Sequence, residues 1–65
     1  MNRIIPQREV MDIHECAAYL GISRDTLYRH AMAGTIPAFK LGNRWRFKRS
    51  QVDEWMDRKS AEAKN

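Results

Sequence analysis

The sequence predicts a mostly helical fold of three short helices and one two-stranded hairpin. Three observations carry that reading. Two helical stretches are each opened by a capping residue and closed by glycine, with only Ile22 between the first closing glycine, Gly21, and the second cap, Ser23. The apolar period then changes from helical to alternating after Gly34. It returns to helical beyond about residue 48.

Size and charge narrow the function before any motif is read. The chain has 65 residues, of which 43% are hydrophobic and 31% charged, a globular balance that makes at most one small domain. Nearly every apolar side chain in a domain this small is needed to hold the fold, which leaves no room for a deep, water-excluding active site. Twelve Lys and Arg stand against eight Asp and Glu, net +4, an excess that favours a polyanionic partner. Cys16 is the single cysteine, so no intrachain disulfide framework exists and a reducing compartment is expected. No stretch approaches the ~18 apolar residues of a membrane span. The N-terminus also lacks the continuous apolar run of a secretory signal. A soluble, cytoplasmic domain with no membrane partner is the expectation.

Residues 1–9, with Pro6 and no period, are expected to form a flexible arm. Residues 60–65 carry no large apolar anchor and are expected to fray as a tail, leaving 10–59 as the folded domain. The first helix starts after Asp12, with Glu15 completing a capping box and Met11 and Cys16 placed as a hydrophobic staple. Ile13, Cys16, Ala17 and Leu20 follow the spacing of a one-sided buried helix, and Gly21 can supply the positive φ that ends it. Ser23 caps the second helix, 24–33, with Ile22 and Leu27 as its staple and Asp25 at the positive end of the dipole; Gly34 stops it. Two short helices joined by a tight glycine turn form a helix-turn-helix plan.

At about 100° per residue, Leu27 and Ala31 of the second helix point inward with His30 beside them. Arg24, Asp25, Tyr28, Arg29 and Met32 gather on the opposite side. Two arginines and a tyrosine suit a major groove, where arginine grips guanine or phosphate and a tyrosine hydroxyl reaches a phosphate oxygen. They equally suit an ordinary solvated basic face, and the helix alone does not separate the two.

Beyond Pro37, Phe39, Leu41, Trp45 and Phe47 alternate with Lys40, Arg44 and Arg46 around Gly42-Asn43, a hairpin turn. A two-residue loop would pair Leu41 with Arg44 and Lys40 with Trp45, mixing apolar and charged side chains on a face. A three-residue loop, Gly42 to Arg44, pairs Leu41 with Trp45 and Phe39 with Phe47 and gives one apolar and one basic face, so the longer loop is predicted. Asn43 and Arg44 then form the tip of a basic finger, with Lys40 and Arg46 on its outer face. A third helix is expected to start between 48 and 50 and to run to about Arg58, its inward stripe Val52, Trp55 and Met56. Trp45, Trp55, Phe39, Phe47, Leu20 and Leu27 should form most of the core. Trp45→Ala is therefore expected to cost ~3–5 kcal/mol.

The order helix, turn, helix, hairpin, helix is that of a winged helix-turn-helix, and the residues go further. The run Asp12-Ile13-His14-Glu15-Cys16-Ala17-Ala18-Tyr19-Leu20-Gly21-Ile22-Ser23-Arg24-Asp25-Thr26-Leu27-Tyr28-Arg29 resembles the excisionase family of DNA-binding domains, relatives of the DNA-binding heads of MerR-type regulators. Gly34-Thr35-Ile36-Pro37-Ala38-Phe39-Lys40-Leu41-Gly42, then Trp45-Arg46-Phe47 and Val52-Asp53-Glu54-Trp55-Met56, extend the resemblance over about 10–58.

The resemblance implies double-stranded DNA as partner, with the second helix in the major groove and the wing on an adjacent minor groove or the backbone. It places Ser23, Arg24, Asp25, Thr26, Tyr28 and Arg29 on the recognition helix, and Lys40, Asn43, Arg44 and Arg46 on the wing. Thr26 sits where a hydroxyl and backbone N–H groups can hold a phosphate. Asp25 either accepts a bond from cytosine N4 or orients Arg29 from one turn away. Met32 shares the face but offers no polar contact. Some members of that family bend attachment-site DNA so that an integrase excises a mobile element; others are small transcriptional regulators. The first role, with a tyrosine or serine integrase as second partner, side-by-side self-association on DNA and a nucleoid-associated location, suits a chain with little beyond the domain. RNA polymerase is the second partner in the other role.

Other classes fit the residues less well. No Ser/His/Asp set, paired-carboxylate cleft or glycine-rich phosphate loop can be assembled, so no enzymatic activity, cofactor or small-molecule ligand is expected. His14, Cys16 and His30 lack zinc spacing, and Cys16 is a core residue. A pure protein-binding module would need a large exposed apolar patch, and a single-strand binder would need aromatics on its surface; Phe39, Trp45 and Phe47 are expected inside.

Overall fold

The computed structural model describes residues 8–63. In chain order these form β1 (Val10–Met11), α1 (Ile13–Leu20), α2 (Arg24–Ala33), β2 (Phe39–Leu41), β3 (Arg44–Lys48) and α3 (Arg49–Ala63). The strands make one antiparallel sheet in the order β1-β3-β2. Three helices with a small sheet are the winged helix-turn-helix architecture, and no described helix is long and apolar enough to cross a membrane.

Local chemistry sets the boundaries of α1 and α2. Asp12 Oδ1 accepts from the Glu15 N–H at 2.8 Å and Glu15 Oε1 accepts from the Asp12 N–H at 3.0 Å, the reciprocal capping box. Gly21 takes φ 74°, a left-handed conformation in which the Ile22 N–H reaches Ala17 O at 3.0 Å and closes the last turn. The same closure recurs at Gly34, φ 73°, with Thr35 N–H on His30 O at 3.0 Å. With both ends closed this tightly, three residues separate the two helices, and Leu27 of α2 is fully buried in the core they share with Cys16 and Ala17.

The sheet departs from expectation in its register. Phe39 pairs with Arg46, Lys40 with Trp45 and Leu41 with Arg44, so the turn is the two residues Gly42 and Asn43. Gly42 has φ 66° and Asn43 does not share the positive φ, the sign pattern of a type II′ hairpin turn. The mixing of charged and apolar partners that argued against this register is resolved by geometry. Lys40 Nζ lies 5.1 Å from the centre of the Trp45 ring, a cation–π contact rather than a mismatch. Lys40 is consequently on the opposite face from Arg46, not beside it. Phe39 is 38% exposed and does not enter the core.

The core is Met11, Cys16, Ala17, Leu27, Ala31, Ile36, Phe47 and Val52, with Leu20, Trp45 and Trp55 only half-buried against it. Burial pushes the Cys16 thiol up to about 12, so it stays protonated and inert. Two side-chain hydrogen bonds hold the middle of α3: Tyr19 Oη donates to Asp53 Oδ1 at 2.6 Å, and Trp55 Nε1 donates to Thr35 O at 2.8 Å.

β1 was not foreseen, because two residues show no period. It aligns Val10 with Lys48 and Met11 with Phe47, and this pairing brings Glu9 to the start of α3. Glu9 O accepts from the Arg49 N–H at 2.7 Å, and its carboxylate accepts from the Ser50 hydroxyl and, at 3.4 Å, from the Ser50 N–H. Lys48 precedes α3 and cannot cap it, so Glu9, the residue before β1, caps it from a distant part of the chain. Arg8, for its part, donates to both Glu15 oxygens at 2.9 and 3.1 Å. The part of the expected arm that is described, Arg8 and Glu9, is thus tied down; 1–7 lie outside the described residues. α3 runs to Ala63, past the end expected near Arg58 and into the expected tail, of which 64–65 lie outside the described residues.

These carboxylates make stability depend on acid. The Asp12 N–H and then the Arg8 guanidinium hold Glu15 below its ordinary value of 4.5. The Ser50 hydroxyl does most to lower Glu9. A carboxylate whose folded pKa is depressed stabilises the fold above its unfolded pKa, and that stability is lost as the pH falls through the folded pKa. The thermal midpoint should therefore hold near neutrality and fall below about pH 4.5, where unfolded Glu takes up protons. Glu15→Gln keeps an acceptor for the Asp12 N–H but has no charge to titrate. Its midpoint measured against pH should fall less steeply than that of the parent.

Candidate nucleic-acid interface

Each face of α2 does what its residue types dictate. Leu27 and Ala31 are buried, His30 is half-buried against Trp55, and Arg24, Asp25, Tyr28, Arg29 and Met32 are all exposed. His30 Nδ1 meets Thr35 Oγ1 at 2.7 Å, which ties its ring to the loop after α2 and away from the exposed face. Asp25 and Arg29 lie one turn apart on a shallow depression they share with Tyr28, and no ion pair forms between them among the described residues. The Arg29 guanidinium is therefore free to meet a ligand without first breaking a salt bridge.

The start of α2 is partly committed to its own cap. Ser23 Oγ accepts from the Thr26 N–H at 3.1 Å and donates to Thr26 Oγ1 at 2.9 Å. The Thr26 amide is thereby removed from the groups that could hold a phosphate, while its hydroxyl proton remains available. Ser23 acts first on the helix end, and on a ligand only through what that end presents.

The hairpin supplies a second basic surface. Residues 38–52 contain five Lys or Arg and no Asp or Glu, whereas residues 53–57 of α3 hold Asp53, Glu54 and Asp57. The wing is therefore strongly positive, while α3 as a whole, with Asp53, Glu54, Asp57 and Glu62 against Arg49, Arg58 and Lys59, is close to balance. Asn43 and Arg44 are exposed at the turn, and Arg46 is half-buried with its guanidinium donating to Trp45 O at 3.2 Å. Lys40 is exposed but held over Trp45, so it adds to the field of the wing rather than extending from its tip.

α2 and the wing meet at one cleft. Tyr28 from α2, Asn43, Arg44, Trp45 and Arg46 from the hairpin, Ile13 and His14 from α1, and the α1 cap Asp12 line it. His14 is exposed, and it also borders a second depression beside Ser23, Arg24 and Asp25 at the start of α2. Sequence reasoning gave His14 no role at this surface. Its placement between recognition helix and wing depends on the angle between α1 and α2 and on the hairpin register, neither of which has a signal in the string of residues. No group of three or more His, Cys, Asp or Glu able to hold a metal occurs among the described residues. Exposed cations and hydrogen-bonding groups on one face of α2 and on the adjoining hairpin can grip phosphates on either side of a groove and reach base edges within it.

A family model for a helix-turn-helix domain matches residues 10–60. No curated protein and no solved structure showed a match.

Proposed function

The chain belongs to the helix-turn-helix domain family, a DNA-binding fold, and from that premise we propose that it binds double-stranded DNA sequence-specifically as an excisionase-like architectural factor. In this reading α2 enters a major groove and presents Arg24, Asp25, Tyr28 and Arg29 to bases and flanking phosphates. The wing follows the neighbouring backbone or minor groove through Arg44 and Arg46. The observation that carries it is the shared cleft, which puts Tyr28 of the helix beside both wing arginines on one face. The acidic residues of α3 do not line that cleft; Asp12 does, with its Oδ1 engaged in capping α1. The excision role draws on the likeness of the two helices and the wing to excisionase-type domains. It makes an integrase the second partner and places the protein on the nucleoid in the cytoplasm, acting by binding and by shaping DNA without a reaction of its own. Protomers set side by side on adjacent sites would raise affinity.

A gel-shift titration with duplex from either side of the gene, against random competitor, tests the reading. Discrete complexes that resist competitor and add in steps support it; binding that competitor removes equally counts against sequence specificity. Where a neighbouring gene encodes an integrase, an excision assay with that integrase then separates the architectural role from control of a promoter.

Arg44→Ala should weaken binding to all sequences alike and reduce the slope of log affinity against log salt by about one, the loss of one phosphate contact. An unchanged slope would remove Arg44 from the backbone contacts.

A further inference from the structure

The observed register builds one face of the sheet from three successive pairs of an apolar residue and a cation: Val10 with Lys48, Phe39 with Arg46, Leu41 with Arg44. Directly opposed residues in an antiparallel pair share a face, and so do alternate residues along a strand. None of the three apolar members is buried: Val10 is 39%, Phe39 38% and Leu41 62% exposed. Scattered single apolar residues on a surface need no explanation, but a row of three, each beside a cation, is a pattern. Leu41 is the most exposed of them and immediately precedes the turn, so it lies at the projecting end of the wing.

We infer that Leu41 is an apolar wedge that enters the DNA minor groove and partly unstacks a base step, bending the duplex. This inference rests on the DNA-binding reading above and adds the residue and the manner of bending. Arg44 and Arg46 belong to the face that carries Leu41 and also line the cleft with Tyr28, together with Trp45 of the opposite face, so the cleft joins the turn end of the wing to the exposed side of α2. A minor groove lies about half a helical turn, ~17 Å, from the major groove that α2 would fill. The molecule, 38 × 34 × 20 Å, is large enough to span that distance. Leucine inserted between base pairs trades stacking for apolar contact, and the flanking arginines would hold the two phosphate strands that the opened groove separates. Gly42 at the turn lacks a side chain that would stand between Leu41 and the bases.

The test begins by selecting a binding site from a random duplex library with the whole chain. 2-Aminopurine, whose fluorescence is quenched by stacking, then replaces adenine at successive positions across and beside the site. The bend is read in parallel by energy transfer between dyes at the duplex ends. Expected for the parent protein is a fluorescence rise confined to a step outside the segment covered by α2, together with a bend. In Leu41→Ala both should fall, while affinity changes by less than roughly tenfold, because lost contact and avoided unstacking offset each other. Leu41→Met should restore both. Since Leu41 contributes nothing to the core, Leu41→Ala should keep the parent circular dichroism and melting midpoint. A specific complex with no fluorescence rise at any step, or a rise and bend unchanged in Leu41→Ala, overturns the wedge and leaves the DNA-binding reading in place. The wedge is also overturned if Leu41→Ala removes only the stepwise larger complexes, which would assign Leu41 to contact between protomers. If no site is enriched, the DNA-binding reading fails and the wedge with it.

Discussion

Phe47→Ala should leave the chain unfolded at room temperature, the largest effect of any single truncation in this molecule. Phe47 is wholly buried on the central strand, opposite Met11 of β1 and in one core with Leu27 of α2 and Val52 of α3. Removing a buried phenylalanine costs about 3–5 kcal/mol, the lost transfer energy plus the cavity left behind. A domain of this size rarely has more than about 3–5 kcal/mol in total. Trp45→Ala, although it removes a larger side chain, should cost less. Trp45 is only half-buried, and its indole N–H is buried without a hydrogen-bond partner among the described residues, a cost that disappears on truncation. Chemical denaturation followed by circular dichroism should therefore rank the variants in the order parent, Trp45→Ala, Phe47→Ala, with Phe47→Leu retaining a cooperative transition. A Phe47→Ala protein that melts cooperatively within a few degrees of the parent would place the centre of the core elsewhere.

The exchange of roles between the two aromatics shows what can be read from sequence alone. Asp12, Glu15, Gly21, Ser23 and Gly34 act on neighbours within a few positions, and each helix boundary they imply for α1 and α2 is the observed one. The exposed face of α2 is equally legible, since helical geometry follows from spacing. The hairpin register is not local in that sense. Apolar alternation favoured Leu41 opposite Trp45, yet Lys40 can lie over Trp45 and Leu41 can remain in solvent, so the shorter turn is accommodated. That single difference moves Lys40 to the other face, takes Phe39 out of the core and creates the row of apolar and cationic pairs. β1 and the cap that Glu9 provides for α3 are long-range in sequence, 41 residues apart at the Ser50 contact, and no spacing rule reaches that far. The candidate site divides the same way: its α2 residues follow from periodicity, while His14 joins it only through the tertiary fold.

Arg29→Ala should reduce specific DNA binding by about 1–3 kcal/mol while changing affinity for random duplex much less, provided that Arg29 reads a base. The side chain is exposed on α2 and forms no ion pair among the described residues, so its guanidinium loses no partner on entering the groove. Truncation by itself cannot separate charge from geometry, because alanine removes both. Arg29→Lys does separate them: lysine keeps the positive charge that a phosphate needs but loses the planar fork that makes two parallel bonds to guanine. If Arg29 reads a base, the lysine variant should resemble alanine on the selected site and resemble the parent on random duplex. The salt slope should then stay at the parent value for lysine and drop for alanine only to the extent that Arg29 also neutralises a phosphate. A lysine variant equal to the parent on both duplexes would make Arg29 a backbone contact. Sequence reading would then pass to Arg24, Asp25 and Tyr28, the other exposed groups of α2 that can hydrogen-bond a base edge.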